Sequence, residues 1–302
     1  MIGKIFRKLL ALGGFELRRI NPSGMVISGK GKREKTPVLY DDMITALHHL
    51  RGGAEASFHC PLHACVHRSG LNFYRNAWHP LLETLREYEV DSRLDYDRSS
   101  LKRFYDHWQP DTAHLAIAGF TDAPVLFRSL PPHMYYLLPW VSANVEQMDR
   151  ATRKWYQRDI SEHGNTHLDM ESHGFTDFGP VSDELGRKEF KRLTDIFNRI
   201  KKEGYNREKG DVGVMVLQRN DEYRYLVTGN GYHRMAAMTA LGYEKIPASF
   251  YRLWILSAGD VDCWPQVING VWSHEAAFQY FNHLFDFDSR AWAEELGLAS
   301  RV

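Results

Sequence analysis

Apolar residues recur at helical spacing through much of the chain and alternate or run together in a few short stretches, so the pattern predicts a mixed protein. Residues 41–51 have helical apolar spacing behind an Asp near their start. Trp78–Tyr88 reads as a helix with Pro80 in its first turn, and Ser99–Trp108 as another before Pro110. The stretch from Pro124 to Pro139 is rich in Pro, Leu and Tyr and reads as extended, and Glu146–Asp159 is a charged helix. The pattern sharpens after Gly174. A loop runs to Ser182, which caps a long helix whose apolar face is Phe190, Leu193, Ile196, Phe197 and Ile200, and Gly204 ends it. Val212–Gln218 is a short apolar strand, Asn220-Asp221 a turn, and Tyr223, Tyr225 and Val227 alternate as a second strand. Met235, Met238, Ala240 and Leu241 return to helical spacing, Gly242 stops that helix, and Ile246–Tyr251 is extended again. Val261–Trp272 is loop-like and precedes a helix with Ala277, Tyr280, Phe281 and Leu284 on its core face.

These elements imply an α+β protein with a small mixed sheet as its core and mostly helical extensions on either side. The expected divisions are a basic segment and linker over 1–35, a mixed, mostly helical region over 36–130, the core over 131–255, and a helical extension over 256–302.

Composition narrows the classes. A chain of 302 residues with 43% hydrophobic content can bury a sizeable core. Lys and Arg balance Asp and Glu at 38 each, so no overall basic field draws in nucleic acid. The balance hides a basic start: residues 1–35 hold nine Lys or Arg against Glu16 and Glu34. Ile2, Ile5, Phe6, Leu9 and Leu10 form one helical face there and Lys4, Arg7 and Lys8 the other. Such a helix either lies on an anionic membrane through residues 1–19 or packs on its own protein. Three cysteines of odd count do not make a disulfide scaffold, and no apolar run is long enough to span a bilayer, so a cytoplasmic protein is expected, with peripheral contact at the inner membrane face as an option. His59, His63, Cys65 and His67 share strand parity and are zinc-ligand types, but no second ligand cluster accompanies them, so packing is preferred and no metal site is assigned.

The stretch that carries candidate chemistry is Gly229-Asn230-Gly231-Tyr232-His233-Arg234, between the second strand and a helix. Glycines let the backbone approach a ligand closely, and the free N–H groups of a first helical turn attract anions. His233 and Arg234 are placed to join those groups around a phosphate. The competing reading is an ordinary strand-to-helix corner.

The order from about 171 to 252 resembles the ParB/sulfiredoxin-like fold: long helix ending in Lys201-Lys202-Glu203-Gly204, two strands, the glycine–His–Arg turn, then a helix ending in Ala240-Leu241-Gly242. The equivalent turn is similar to Asp-Gly-His-His-Arg in free-serine kinases, Gly-Gly-Cys-His-Arg in sulfiredoxins and Gly-Glu-Arg-Arg in chromosome-partitioning proteins. Tyr232 stands where sulfiredoxin chemistry needs a nucleophilic Cys, which excludes that activity at this position. Met235-Ala236-Ala237 follows where the partitioning proteins continue with a further Arg. The flanks, through Trp78-His79-Pro80, Pro139-Trp140 and Trp264-Pro265, also look like envelope-polysaccharide-cluster proteins that carry this domain.

The resemblance implies a nucleotide-dependent phosphotransferase acting on a hydroxyl of a sugar or small polar acceptor in surface-polysaccharide synthesis, with ATP or ADP and Mg²⁺ as cofactors. Gly229, Asn230, Gly231, Tyr232, His233 and Arg234 would bind the phosphates. Asn230 replaces the kinase-like Asp and cannot act as a base, so catalysis is assigned to Asp183, Glu184 and His233, with Asp177 a weaker acid candidate. Trp140 and Trp264 would shape the acceptor pocket. Two alternatives stand beside it. One is a nucleic-acid-binding protein or nuclease using the basic helix over 187–209. The other is a non-catalytic nucleotide sensor.

Overall fold

A computed structural model describes residues 36–53, 55–228 and 231–299. The basic segment 1–35, with its amphipathic helix and linker, lies outside the described residues, as do Gly229 and Asn230. Among the described residues no helix is long and apolar enough to cross a membrane.

The chain forms an α+β structure on one six-stranded mixed sheet. Its strands are β1 (Val38–Tyr40), β2 (Ala56–Pro61), β3 (Cys65–Val66), β4 (Val212–Arg219), β5 (Glu222–Val227) and β6 (Lys245–Ser257). Their order across the sheet is β1-β2-β6-β4-β5-β3. β4 and β5 form the hairpin expected from the alternating pattern, and Asn220 in its turn adopts φ 53°. β4 also pairs in parallel with β6, β2 pairs antiparallel with β6, and β1 and β3 pair in parallel with β2 and β5. The sheet therefore takes strands from either side of residue 130.

β4 explains the layering. Val212, Val214 and Val216 point into one core, Met215 and Leu217 into another, and all five are buried. A continuous apolar run on a central strand means that both faces are covered. The first face is packed by α1 (Met43–Arg51), α2 (Pro80–Val90), α3 (Ser100–His107), α6 (Asp183–Glu203) and α7 (Tyr232–Ala240). The second is packed by the irregular stretch 113–140, by α4 (Val145–Glu162), by the loop after the one-turn α5 (Met170–His173), and by α9 (His274–Asp286), with the short α8 (Pro265–Ile268) beside it, whereas α10 (Ser289–Glu295) returns to the first face through Trp292 and Ala293.

Most helix starts follow local chemistry. Ser182 accepts from the Leu185 N–H at the head of α6, and Asn144 with Gln147 forms a capping box on α4. The expected extended stretch 124–139 is instead two 3₁₀ turns, Val125–Ser129 and Pro132–Tyr136. Pro124, Pro131 and Pro132 fix φ and withhold N–H donors there, which favours short turns over ladder pairing. Trp140 and Trp264, expected at an acceptor pocket, meet edge to face at 5.5 Å in the core of the second face.

The loop 174–182 is pinned where Gly179 donates to the Trp108 carbonyl at 2.9 Å. A Cβ on Gly179 would stand 1.8 Å from the carbonyl oxygen of Tyr105, a backbone atom that cannot swing aside. Gly179→Ala should therefore lose about 3 kcal/mol, the upper end of overpacking costs, read as a lower urea midpoint with an unchanged m-value.

Candidate functional site

α6 buries Leu193, Phe197 and Ile200 against the first core and leaves its charged face outward. α7 packs across it and opens directly after β5, with Gly231 as N-cap and no side-chain cap. Gly231 has a packing reason of its own. A Cβ there would lie 2.5 Å from Val212 Cγ1 and 2.9 Å from Val227 Cγ1, so the corner needs glycine to seat α7 on β4 and β5.

The first turn of α7 divides its side chains between core and cleft. Tyr232 turns inward and is buried. Its hydroxyl donates to the Val227 carbonyl at 3.1 Å and accepts from the Arg68 guanidinium at 3.1 Å. It is therefore a core residue and not the surface phosphate contact expected. His233 and Arg234 turn the other way, into a cleft of about 780 Å³ between α6, α7 and the segments at 163–165 and 204–209. His233 Nε2 lies 2.9 Å from Glu189 Oε2, and both side chains are close to seven-eighths buried, at 14% and 13% exposure. Arg234 donates to the Gly210 carbonyl at 2.6 Å and to the Tyr205 hydroxyl at 3.0 Å.

The cleft is basic. Lys188, Lys191, Arg192, Arg199, Lys209 and Arg234 line it against three acids, Glu189, Asp195 and Glu203. Some of that charge is internally paired, Lys191 with Asp195 at 2.6 Å and Arg192 with Asp159 at 3.1 Å. Arg199 and Lys209 have no acidic partner among the described residues, and their charge is offered to whatever enters. Burial pushes the Glu189 carboxyl up, but the His233 hydrogen bond and charge, with Arg192 and His163, outweigh it and hold the group down to about 2. Glu189 is therefore an anion that fixes the His233 ring. With Nε2–H donating to it, Nδ1 is the nitrogen that carries the lone pair in the neutral form of the ring.

The expected acids fall elsewhere. Asp183 and Glu184 occupy the head of α6, exposed, with Asp183 3.6 Å from Lys102. Glu184 is held by His167 at 2.7 Å and Lys188 at 2.9 Å, which bring its carboxyl down to about 2. Neither lines the cleft. The acid that the fold brings to His233 is Glu189, one and a half turns further along the same helix. Its only signal in the sequence was membership of a charged run, which looks the same as a solvated face.

Asp177 is buried behind the cleft, where its Oδ2 accepts from the hydroxyls of Tyr135 at 2.5 Å and Tyr136 at 2.9 Å. The presumed parity of His59, His63, Cys65 and His67 does not hold, because a 3₁₀ turn over Leu62–Ala64 separates β2 from β3. Among the described residues no three His, Cys, Asp or Glu side chains converge as metal ligands. Comparison with protein-family models, curated proteins and solved structures returned no match.

A carboxyl held below its ordinary value stabilises the fold above that value and loses the contribution as pH falls towards the depressed one. The Glu189 shift from 4.5 to about 2 corresponds to on the order of 3 kcal/mol. Wild type should exceed Glu189→Gln by up to that amount near neutrality. The gap should close between pH 4.5 and pH 2, as followed by Tm against pH.

Proposed function

We propose that the chain is a phosphotransferase with a ParB/sulfiredoxin-like core, moving a phosphoryl group from a nucleotide to a hydroxyl of a small polar or sugar acceptor. The observation that carries this reading is the Glu189-anchored His233 opening on a cleft lined with six Lys or Arg side chains. The succession of α6, β4, β5, the Gly231–Arg234 corner, α7 and β6 supports the core assignment, since it keeps the element order of that fold.

In this reading Lys188, Arg199, Lys209 and Arg234 neutralise and orient the nucleotide's phosphates, because phosphoryl transfer depends mainly on positioning and charge compensation. His233 Nδ1 takes the proton of the attacking hydroxyl, and Glu189 keeps the ring in the right tautomer and stabilises the imidazolium that forms. Mg²⁺ is ordinarily held by one or two carboxylates together with the phosphates; Asp195 and Glu203, eight residues and about 12 Å apart along α6, would each offer it a single carboxylate and not a shared site. It would supply further neutralisation of phosphate charge. ATP and ADP are the donors to try first, and a sugar hydroxyl is the acceptor that the polysaccharide-cluster resemblance favours.

Two measurements test this. ATP or ADP with Mg²⁺ should raise Tm in a concentration-dependent way, and Arg199→Ala or Lys209→Ala should weaken that binding about tenfold, as expected when a charge-assisted phosphate contact of about 1.5 kcal/mol is lost. With a turned-over acceptor, His233→Ala should lower kcat by about 10²–10⁴-fold with little change in KM. Absence of both a nucleotide-dependent Tm shift and turnover would sink the reading.

The basic outer face of α6 favours one alternative, nucleic-acid binding. Lys191 and Lys201 on that face are already paired with Asp195 and Glu89, which weakens it. It would gain if DNA or RNA affinity fell steeply with salt and vanished when Lys191, Arg192 and Lys201 were neutralised.

A further inference from the structure

Behind the His233–Glu189 pair lies a second, smaller space of about 40 Å³, with both residues in the shared wall. On its far side are His67, His79 and Asp177, set among Leu71, Leu101 and Phe104. A site needs about 10–15 Å³ of such space and two to four polar partners to hold a water molecule. The chamber satisfies both conditions.

His67 Nδ1 accepts from the Ser69 N–H at 3.1 Å and lies 2.7 Å from the Ser69 hydroxyl, which can turn to donate to the same nitrogen, and His79 Nδ1 accepts from the Leu81 N–H at 3.3 Å at the head of α2. In a neutral imidazole with Nδ1 accepting, the proton is on Nε2. Burial pushes both imidazoles well below their ordinary values, with the Arg68 charge adding to it for His67 and the other two imidazoles for His79. Both rings are thus neutral Nε2–H donors. Neither Nε2 has a hydrogen bond among the described residues, and that of His67 lies 3.9 Å from Asp177 Oδ2, too far for a direct bond. Asp177 Oδ1 makes no hydrogen bond among the described residues, since both tyrosine hydroxyls take Oδ2.

We propose that this chamber holds water joining the His233–Glu189 pair to the carboxylate of Asp177, and that this water-linked carboxylate positions the pair. The inference rests on His233 acting as the base in the reading above. His233 Nδ1 takes the proton of the acceptor hydroxyl, the Nε2 proton stays on the ring, and the imidazolium later returns the Nδ1 proton to solvent in the cleft. No proton is left on Glu189. Glu189 is held down to about 2 and is a poor resting place. Burial pushes Asp177 above the usual carboxylate value despite Arg68 and the two tyrosines. Environments that drive paired carboxyls apart in this way separate their acid–base roles. Asp177 acts through Glu189 and touches no substrate.

A crystal structure of the wild-type protein should show ordered water within hydrogen-bond reach of Asp177 Oδ1 and His79 Nε2. In ¹⁵N-histidine NMR, His67 and His79 should stay in the neutral Nε2–H form over about pH 5–8. Asp177→Asn keeps an oxygen for the tyrosines and removes the charge. His79→Asn keeps an N-cap acceptor for α2 and removes the ring N–H. With a turned-over acceptor, both variants should lose about tenfold or more in kcat with KM within about twofold. A dry chamber, Nδ1–H tautomers, or an unchanged kcat in Asp177→Asn would each overturn the water link. If the wild-type protein transfers no phosphoryl group, the proposed function fails, and the crystallographic and NMR results still decide the water link by themselves.

Discussion

The structure depends on β4 being buried on both faces. Val212, Val214 and Val216 form the floor of one core, and Met215 and Leu217 that of the other. Burying an aliphatic side chain is worth about 1.5–3 kcal/mol, so exposing either face would forfeit several such contributions at once. The chain must therefore supply two covering layers. One is a set of well-formed helices, and the other is largely irregular backbone with α4 and α9. The candidate site is built on the helical side, where α6 and α7 cross beside the edge of that core.

That placement explains how the site holds its charges. Polar groups in a dry wall are tolerated only when paired or hydrogen-bonded. Glu189 is paired with His233, and Asp177 takes two tyrosine hydroxyls beneath the Arg68 guanidinium, which lies 3.8 Å over the Tyr136 ring. Arg68 in turn donates to Tyr232, whose hydroxyl is tied to Val227. The residue next to His233 is thus locked into the core, and the ring of His233 is presented from a fixed turn. A mobile surface histidine would lose that pre-organisation.

Much of the chain was legible in its periodicities. The helices α1 to α4, α6, α7 and α9 fall where the apolar spacing put them, and the β4–β5 hairpin and β6 follow their alternating or continuous apolar patterns. Local signals of capping and glycine stops account for the boundaries at Ser182 and Gly204. β1, with three residues, is too short to leave a pattern, and its strand character comes from pairing with β2. The same is true of β3, two residues long, which exists because β5 offers it an edge.

The site was legible in part. The Gly231–Arg234 corner was visible because glycine, histidine and arginine before a helix have a chemical meaning together. Glu189 was not, since one Glu in a run of alternating charges has no distinguishing spacing. The acids at 183 and 184 drew attention because a helix start favours negative charge, but that same preference leaves them at the exposed head of α6. The sequence by itself determined the period of each long element, the apolar face that each must bury and the residue types at the corner, because these are local properties of neighbouring positions. Only the tertiary structure decided that Glu189 meets His233 across 44 positions, that Tyr232 faces inward, and that Asp177 is enclosed. Those outcomes depend on how two helices cross over a sheet, and no local spacing records a crossing.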